Sequence, residues 1–169
     1  RCGAHSSSQE FINKQIVDAS QKHPIVVRLK GGDPLIFGRA EEEVIALKKA
    51  GVHFEIVPGI TTALAASAEL GQAPTVRNIS RTVTLTTLPT RLNYEDAGTD
   101  IFYMGRDQLP IIARSLIDKG RSTNTPICIM ESVSLPEQRM FGGFLGDLLQ
   151  VGAPSVTQNN PLIVLVGEV

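Results

Sequence analysis

The sequence predicts a mixed α/β protein built as two units, and three observations carry that expectation. Helix-type periodicity and short β-branched runs alternate from residue 7 to residue 71, the rhythm that builds parallel sheets. The tract 72–80, QAPTVRNIS, is polar and turn-forming without any period, and the alternation restarts beyond it. Small or polar residues also stand repeatedly where an apolar run gives out, the place where open α/β sheets take ligands. In domain terms, residues 1–75 belong to a first α/β domain, 76–81 are a linker and 82–169 form a second domain.

Each element has its own physical warrant. In 7–22, Ser7 with Glu10 three positions on forms a reciprocal capping pattern, and Phe11, Ile12, Ile16 and Val17 follow at helical spacing. The run 24–31, PIVVRLKG, is β-branched and bounded by proline and glycine, which suits a buried strand. Next, 40–51 places Glu41, Glu42 and Glu43 in a first helical turn, Lys48 and Lys49 in the last and Gly51 beyond the end, so charge and cap both match the helix dipole. Residues 53–59, HFEIVPG, read as a strand, and 61–71 as a short helix opened by Thr61 and closed by Gly71. In the second domain, 81–88 is a strand and 89–99 a polar loop. Residues 100–105 are a strand and 109–120 a helix, and strands follow at 125–132, 137–143 and 161–169.

Composition narrows the function. With 42% hydrophobic and 20% charged residues over 169 positions, the chain can bury an ordinary globular core. A net charge of -1 gives no field that would draw nucleic acid or a membrane surface, so any anionic ligand must be held locally. Cys2 and Cys128 make neither a disulfide framework nor a metal cluster, and His5, His23 and His53 lack metal-ligand spacing; no metal is expected, and a reducing cytoplasm is the expected compartment. No apolar run approaches the roughly 20 residues that span a bilayer, and no leader pattern precedes the first helix. The chain begins at Arg1, directly before a helix signal, as a fragment would.

The chemistry is expected at the strand ends. In RLKGGDPLIFGR, 28–39, Gly31 and Gly32 permit close backbone approach, Pro34 fixes the turn, and Asp33 could accept from a ribose hydroxyl or pair with an ammonium. The same residues also suit a plain tight turn in which the aspartate bonds its own backbone. VPGITTA (57–63), FYMGR (102–106) and IMESV (129–133) are further ends of this kind, with Thr61 and Thr62 at a helix N-terminus. Together they point to a cleft between the two domains. Arg39, Arg77, Arg81 and Arg106 fall at element boundaries, where a forked guanidinium suits carboxylates and phosphates or makes a surface ion pair.

These stretches, RCGAHSSSQEFIN, VVRLKGGDPLIFGRAEEE, VPGITTALAASAELG, RTVTLTT, FYMGRDQL and PLIVLVGEV, occur in the order found in tetrapyrrole methylases, and the chain resembles most of all the uroporphyrinogen-III C-methyltransferases among them. The resemblance implies a two-domain methylase fold, each domain a mainly β-sheet core with flanking helices, with S-adenosylmethionine bound in the cleft of a homodimeric enzyme. It implies cofactor contacts at Gly31, Gly32, Asp33, Ile36, Thr61, Thr62, Met104 and Val133, and tetrapyrrole contacts at Arg39, Glu42 and Arg77. The implied reaction is C-methylation of uroporphyrinogen III to precorrin-2, in siroheme and cobalamin synthesis. A sulfonium already holds an activated methyl group, so such a site has mainly to align it with a pyrrole carbon and exclude water.

Measured against that family, the first strand, its Gly-Pro-Gly-Asp loop and the lysine of the proposed acid–base pair are expected upstream of residue 1. Residues 1–75 are then the C-terminal part of the first domain, no catalytic residue is assigned within the chain, and the uncovered sheet predicts poor solubility or a compensating oligomer. Val76 stands where the family has histidine, and Ala40-Glu41 where it has Gly-Gly. Those departures leave open a methylase of a later precorrin, or a truncated module that binds cofactor without catalysis.

Overall fold

In the computed structural model, which describes residues 7–87, 98–150 and 160–168, the first capping signal is used one residue later than expected. Ser8, not Ser7, caps helix α1 (Gln9–Ser20): its hydroxyl accepts the Phe11 amide at 3.2 Å, one of the amides the first turn leaves without an intrahelical partner. Helix α2 (Ala40–Lys49) carries the expected acidic first turn and basic last turn. It ends at Gly51, whose φ of +67° is the left-handed conformation that a C-cap needs. The two helices pack together, with the Asn13 side chain donating to the Glu42 carbonyl at 3.3 Å. They lie in the first of two compact units, residues 1–61 and 62–169.

The two apolar tracts of that first unit are not strands among the described residues. Residues 24–31 and 53–59 run without a ladder, and Ile25, Val27 and Leu29 are 79 to 82% exposed. Their composition favours a pleated, half-buried surface, but a strand is defined by its neighbour, and no described residue pairs with them.

The second unit holds a five-stranded mixed sheet in the order β1-β2-β5-β3-β4. Its strands are β1 (Val83–Thr86), β2 (Thr99–Tyr103), β3 (Pro126–Glu131), β4 (Arg139–Phe144) and β5 (Leu162–Val166). β1 and β2 are parallel and every other pairing is antiparallel. Between β2 and β3 lies α4 (Leu109–Asp118), and α5 (Asp147–Gln150) follows β4. Helix α3 (Thr62–Leu70), which the chain's rhythm groups with the first domain, makes its contacts here.

Period-two alternation distributes the core over both faces of the sheet. Phe102, Ile127, Ile129, Leu162, Val164 and Val166 meet Leu109, Ile112, Ala113 and Leu116 of α4, which recur at helical spacing. On the other face Ile101, Met130, Ile163 and Leu165 meet Ala63 and Ala66 of α3. All of β5 is buried, as its unbroken apolar run LIVLV requires of a central strand. Cys2, His5 and most of the 89–99 loop lie outside the described residues. Among the described residues no helix is long and apolar enough to cross a membrane.

Candidate functional site

In the first unit the glycine-aspartate turn and the VPGIT tract come together. Asp33 Oδ1 accepts the Leu35 amide at 2.8 Å, the turn bond that the aspartate was expected to make, and Oδ2 accepts the Gly59 amide at 3.2 Å. Gly59 allows that approach: a Cβ there would stand 2.4 Å from the Gly32 carbonyl oxygen. Gly31, by contrast, has nothing within 4 Å of the place where its side chain would be. The two corners thus form one surface with an open glycine at its lip. Gly32 has a φ of +75°, Ile36 is half-buried and bonds back to the Asp33 carbonyl at 3.3 Å, and Thr61 is buried.

At the start of α2, Arg39 and Glu42 make a forked pair, Nε to Oε1 at 2.6 Å and a terminal nitrogen to Oε2 at 2.8 Å. Both side chains are largely exposed. The Arg39 hydrogen bond draws the Glu42 carboxyl below its usual range, and the same bond raises the guanidinium. A guanidinium has five N–H donors, so after this pairing Arg39 keeps outward donors for a second carboxylate.

In the second unit the predicted residues gather at the carboxyl ends of β2 and β3. The Ala63 amide, in the first turn of α3 beside Thr62, donates to the Tyr103 hydroxyl at 3.2 Å, which fixes the N-terminus of that helix to the end of β2. Met104 follows with a φ of +54° and an exposed side chain, and Val133 packs against the same core cluster as Ala63 and Tyr103. Beneath this end Glu131 is fully buried, with Arg106 at 3.7 Å and Arg139 at 3.8 Å. Arg106 is therefore directed to an internal carboxylate. Arg77 is exposed in the turn that the Val76–Ser80 bridge closes, and Arg81 is exposed. His23 and His53 are exposed and well separated in sequence.

A cavity of about 470 Å³ opens at the opposite end of the sheet, lined by Thr99, Pro126, Cys128, Gly142 and Gly167 among others, and none of the expected cofactor or substrate residues reaches it. Burial pushes the Cys128 thiol up, which keeps it protonated and unreactive. Sequence reasoning passed over Lys30, Glu43 and Tyr103. The only signal for Glu43 was its place in an acidic helical turn, and Tyr103 stood beside Met104 in the FYMGR stretch.

The comparisons with known proteins agree with these motifs. A family model for Tetrapyrrole (Corrin/Porphyrin) Methylases matches residues 1–149. A siroheme synthase of Psychrobacter sp. (strain PRwf-1) is 38% identical over 98% of this chain, which covers 36% of that protein. One from Escherichia coli O139:H28 is also 38% identical, over 100% of this chain and 38% of its own length. The chain thus spans little more than a third of these curated relatives. Among solved structures, a uroporphyrin III C-methyl transferase from Thermus thermophilus superposes with a TM-score of 0.80 at 32% identity, over 94% of this chain and 70% of that one. The Thermus thermophilus enzyme complexed with S-adenosyl homocysteine matches at 0.80 and 31%, over 95% of this chain and 73% of that one. A cobalt precorrin-4 methyltransferase shares the fold, with a TM-score of 0.81 at 23% identity over 97% of this chain and 72% of its own.

Proposed function

Because the chain belongs to the tetrapyrrole (corrin/porphyrin) methylases, we propose that it carries part of an S-adenosylmethionine-dependent C-methyltransferase converting uroporphyrinogen III to precorrin-2. The observation that carries this reading is the junction of the Gly31–Asp33 turn with the Gly59 corner through the Asp33 carboxylate. The residues fit an adenosyl group. The side of Gly31 is open, and each Asp33 oxygen accepts an amide hydrogen bond, at 2.8 and 3.2 Å, which leaves lone pairs for a ligand hydroxyl.

In this reading Gly31, Gly32, Asp33, Ile36, Thr61, Thr62, Met104 and Val133 are the cofactor-binding residues. S-adenosylmethionine supplies a methyl group already activated on sulfonium. What remains for the chain is alignment and exclusion of water. Arg39, kept oriented by Glu42, and Arg77 engage the carboxylates of the tetrapyrrole, for which forked donors are suited. The domain partition of 1–75, 76–81 and 82–169, a homodimeric assembly and a cytoplasmic site of action belong to the same proposal.

Methyl transfer from labelled S-adenosylmethionine, assayed with the whole protein that contains this chain, tests the substrate. Label in uroporphyrinogen III supports the reading. Label only in a later precorrin favours the second reading, to which Val76 in the place of the family's histidine points. Calorimetric titration with S-adenosylhomocysteine tests the pocket: Asp33→Ala is expected to weaken binding by about 1–3 kcal/mol if it makes a charge-assisted hydrogen bond. Silence from the folded wild-type protein would support the non-catalytic alternative.

A further inference from the structure

The loop that bears Gly31, Gly32, Asp33 and Ile36 is joined at its neck. The Lys30 ammonium, at the loop's first end, donates to the Gly38 carbonyl at its last. The same ammonium lies 2.9 Å from Glu43 Oε2 on α2, and the two side chains are only 12% and 7% exposed. The other oxygen of Glu43 accepts from Arg28 Nε at 3.2 Å and from Gln9 Nε2 at 3.3 Å. One buried carboxylate therefore gathers donors from α1, from the tract leading into the loop and from the neck itself.

The loop needs such a constraint. Phe37 and Arg39 hold left-handed backbone conformations at φ +51° and +54°, which side chains disfavour and which persist only where the surroundings hold them. A lysine required only for solubility would keep its ammonium in water. Here it turns inward, and its strong donors are divided between a carbonyl and a carboxylate.

We propose that Lys30 and Glu43 form a latch that fixes the 31–38 loop in its ligand-ready shape, acting as positioning residues for the adenosyl cofactor through the loop backbone rather than by contact with it. This inference rests on the cofactor reading of the loop.

The test uses the whole protein and two readouts: hydrogen exchange of amides 31–38 and calorimetric affinity for S-adenosylhomocysteine. Lys30→Gln is expected to speed exchange across the loop and to raise Kd about tenfold, with Lys30→Arg recovering most of both. Combining Lys30→Gln with Glu43→Gln adds little to the more severe of the two single changes, because both break one link. Ser20→Ala, which removes the hydroxyl bond to the Val17 carbonyl at the far end of α1, leaves both readouts within about twofold of wild type. If Glu43→Gln does not fold, Lys30→Gln still decides the matter, since it preserves the Arg28 and Gln9 contacts to Glu43. Unchanged exchange and affinity in Lys30→Gln overturn the latch, and so does an equal loss in Ser20→Ala, which would make the effect general loosening. A wild-type protein that does not bind S-adenosylhomocysteine, while Lys30→Gln still speeds exchange, overturns the cofactor role and leaves the latch as a constraint on the loop alone.

Discussion

Gly31 and Gly59 are both glycines at turns, yet their surroundings assign them opposite duties. A methyl group at Gly59 would meet the Gly32 carbonyl oxygen at 2.4 Å, backbone against backbone, so Gly59→Ala is expected to cost about 1–3 kcal/mol of stability through overpacking, measured by denaturant unfolding. A methyl group at Gly31 meets nothing within 4 Å; Gly31→Ala should leave unfolding within about 0.5 kcal/mol while weakening S-adenosylhomocysteine in titration. The Gly31–Asp33 turn and the helix start beside Thr61 were legible in the sequence because turn chemistry is local: two glycines, an aspartate and a proline restrict the backbone wherever they occur. Lys30 and Glu43 were not, because their roles depend on which donor stands opposite in space, thirteen positions away along the chain.

At the scale of elements, α2 was readable from end to end, since dipole charge and C-cap glycine act within one turn of the helix. Its Glu43 also sets an acid limit on the first unit. Burial pushes that carboxyl up, but the hydrogen bonds from Lys30 and Gln9 and the charges of Lys30 and Arg28 pull it further down, so its pKa lies below the ordinary value. A carboxyl depressed by folding contributes stability that is fully present above the ordinary carboxylate range and is lost as pH falls through the lowered value. Thermal melts across acid pH should show that decline in wild type and a flatter one in Glu43→Gln. The tracts 24–31 and 53–59 mark the limit of local reading. Their β-branched runs were correctly seen as apolar, but pairing is a property of two segments, and Ile25, Val27 and Leu29 remain exposed among the described residues. Residues 1–169 expressed alone should accordingly associate as concentration rises, and Val27→Lys combined with Leu29→Lys should reduce that association in sedimentation velocity.

For the molecule as a whole, the sheet of the second unit carries the largest buried cluster. Leu116 is fully buried at the α4 contact with Phe102 and Val164, so Leu116→Ala is expected to cost about 2–5 kcal/mol in the unfolding of that unit, read from far-ultraviolet circular dichroism in urea. The sequence by itself determined the five strands and helix α4 of the second unit and the glycine and threonine corners, because side-chain period, chain stiffness and turn chemistry act over a few residues. Tertiary structure alone decided that β5 inserts between β2 and β3, that α3 joins the second unit's core, and that Glu43 and Glu131 are buried among cations. Those outcomes depend on which surfaces meet. Hydrophobic burial is non-directional, and a buried charge persists only where distant parts of the chain bring it a partner.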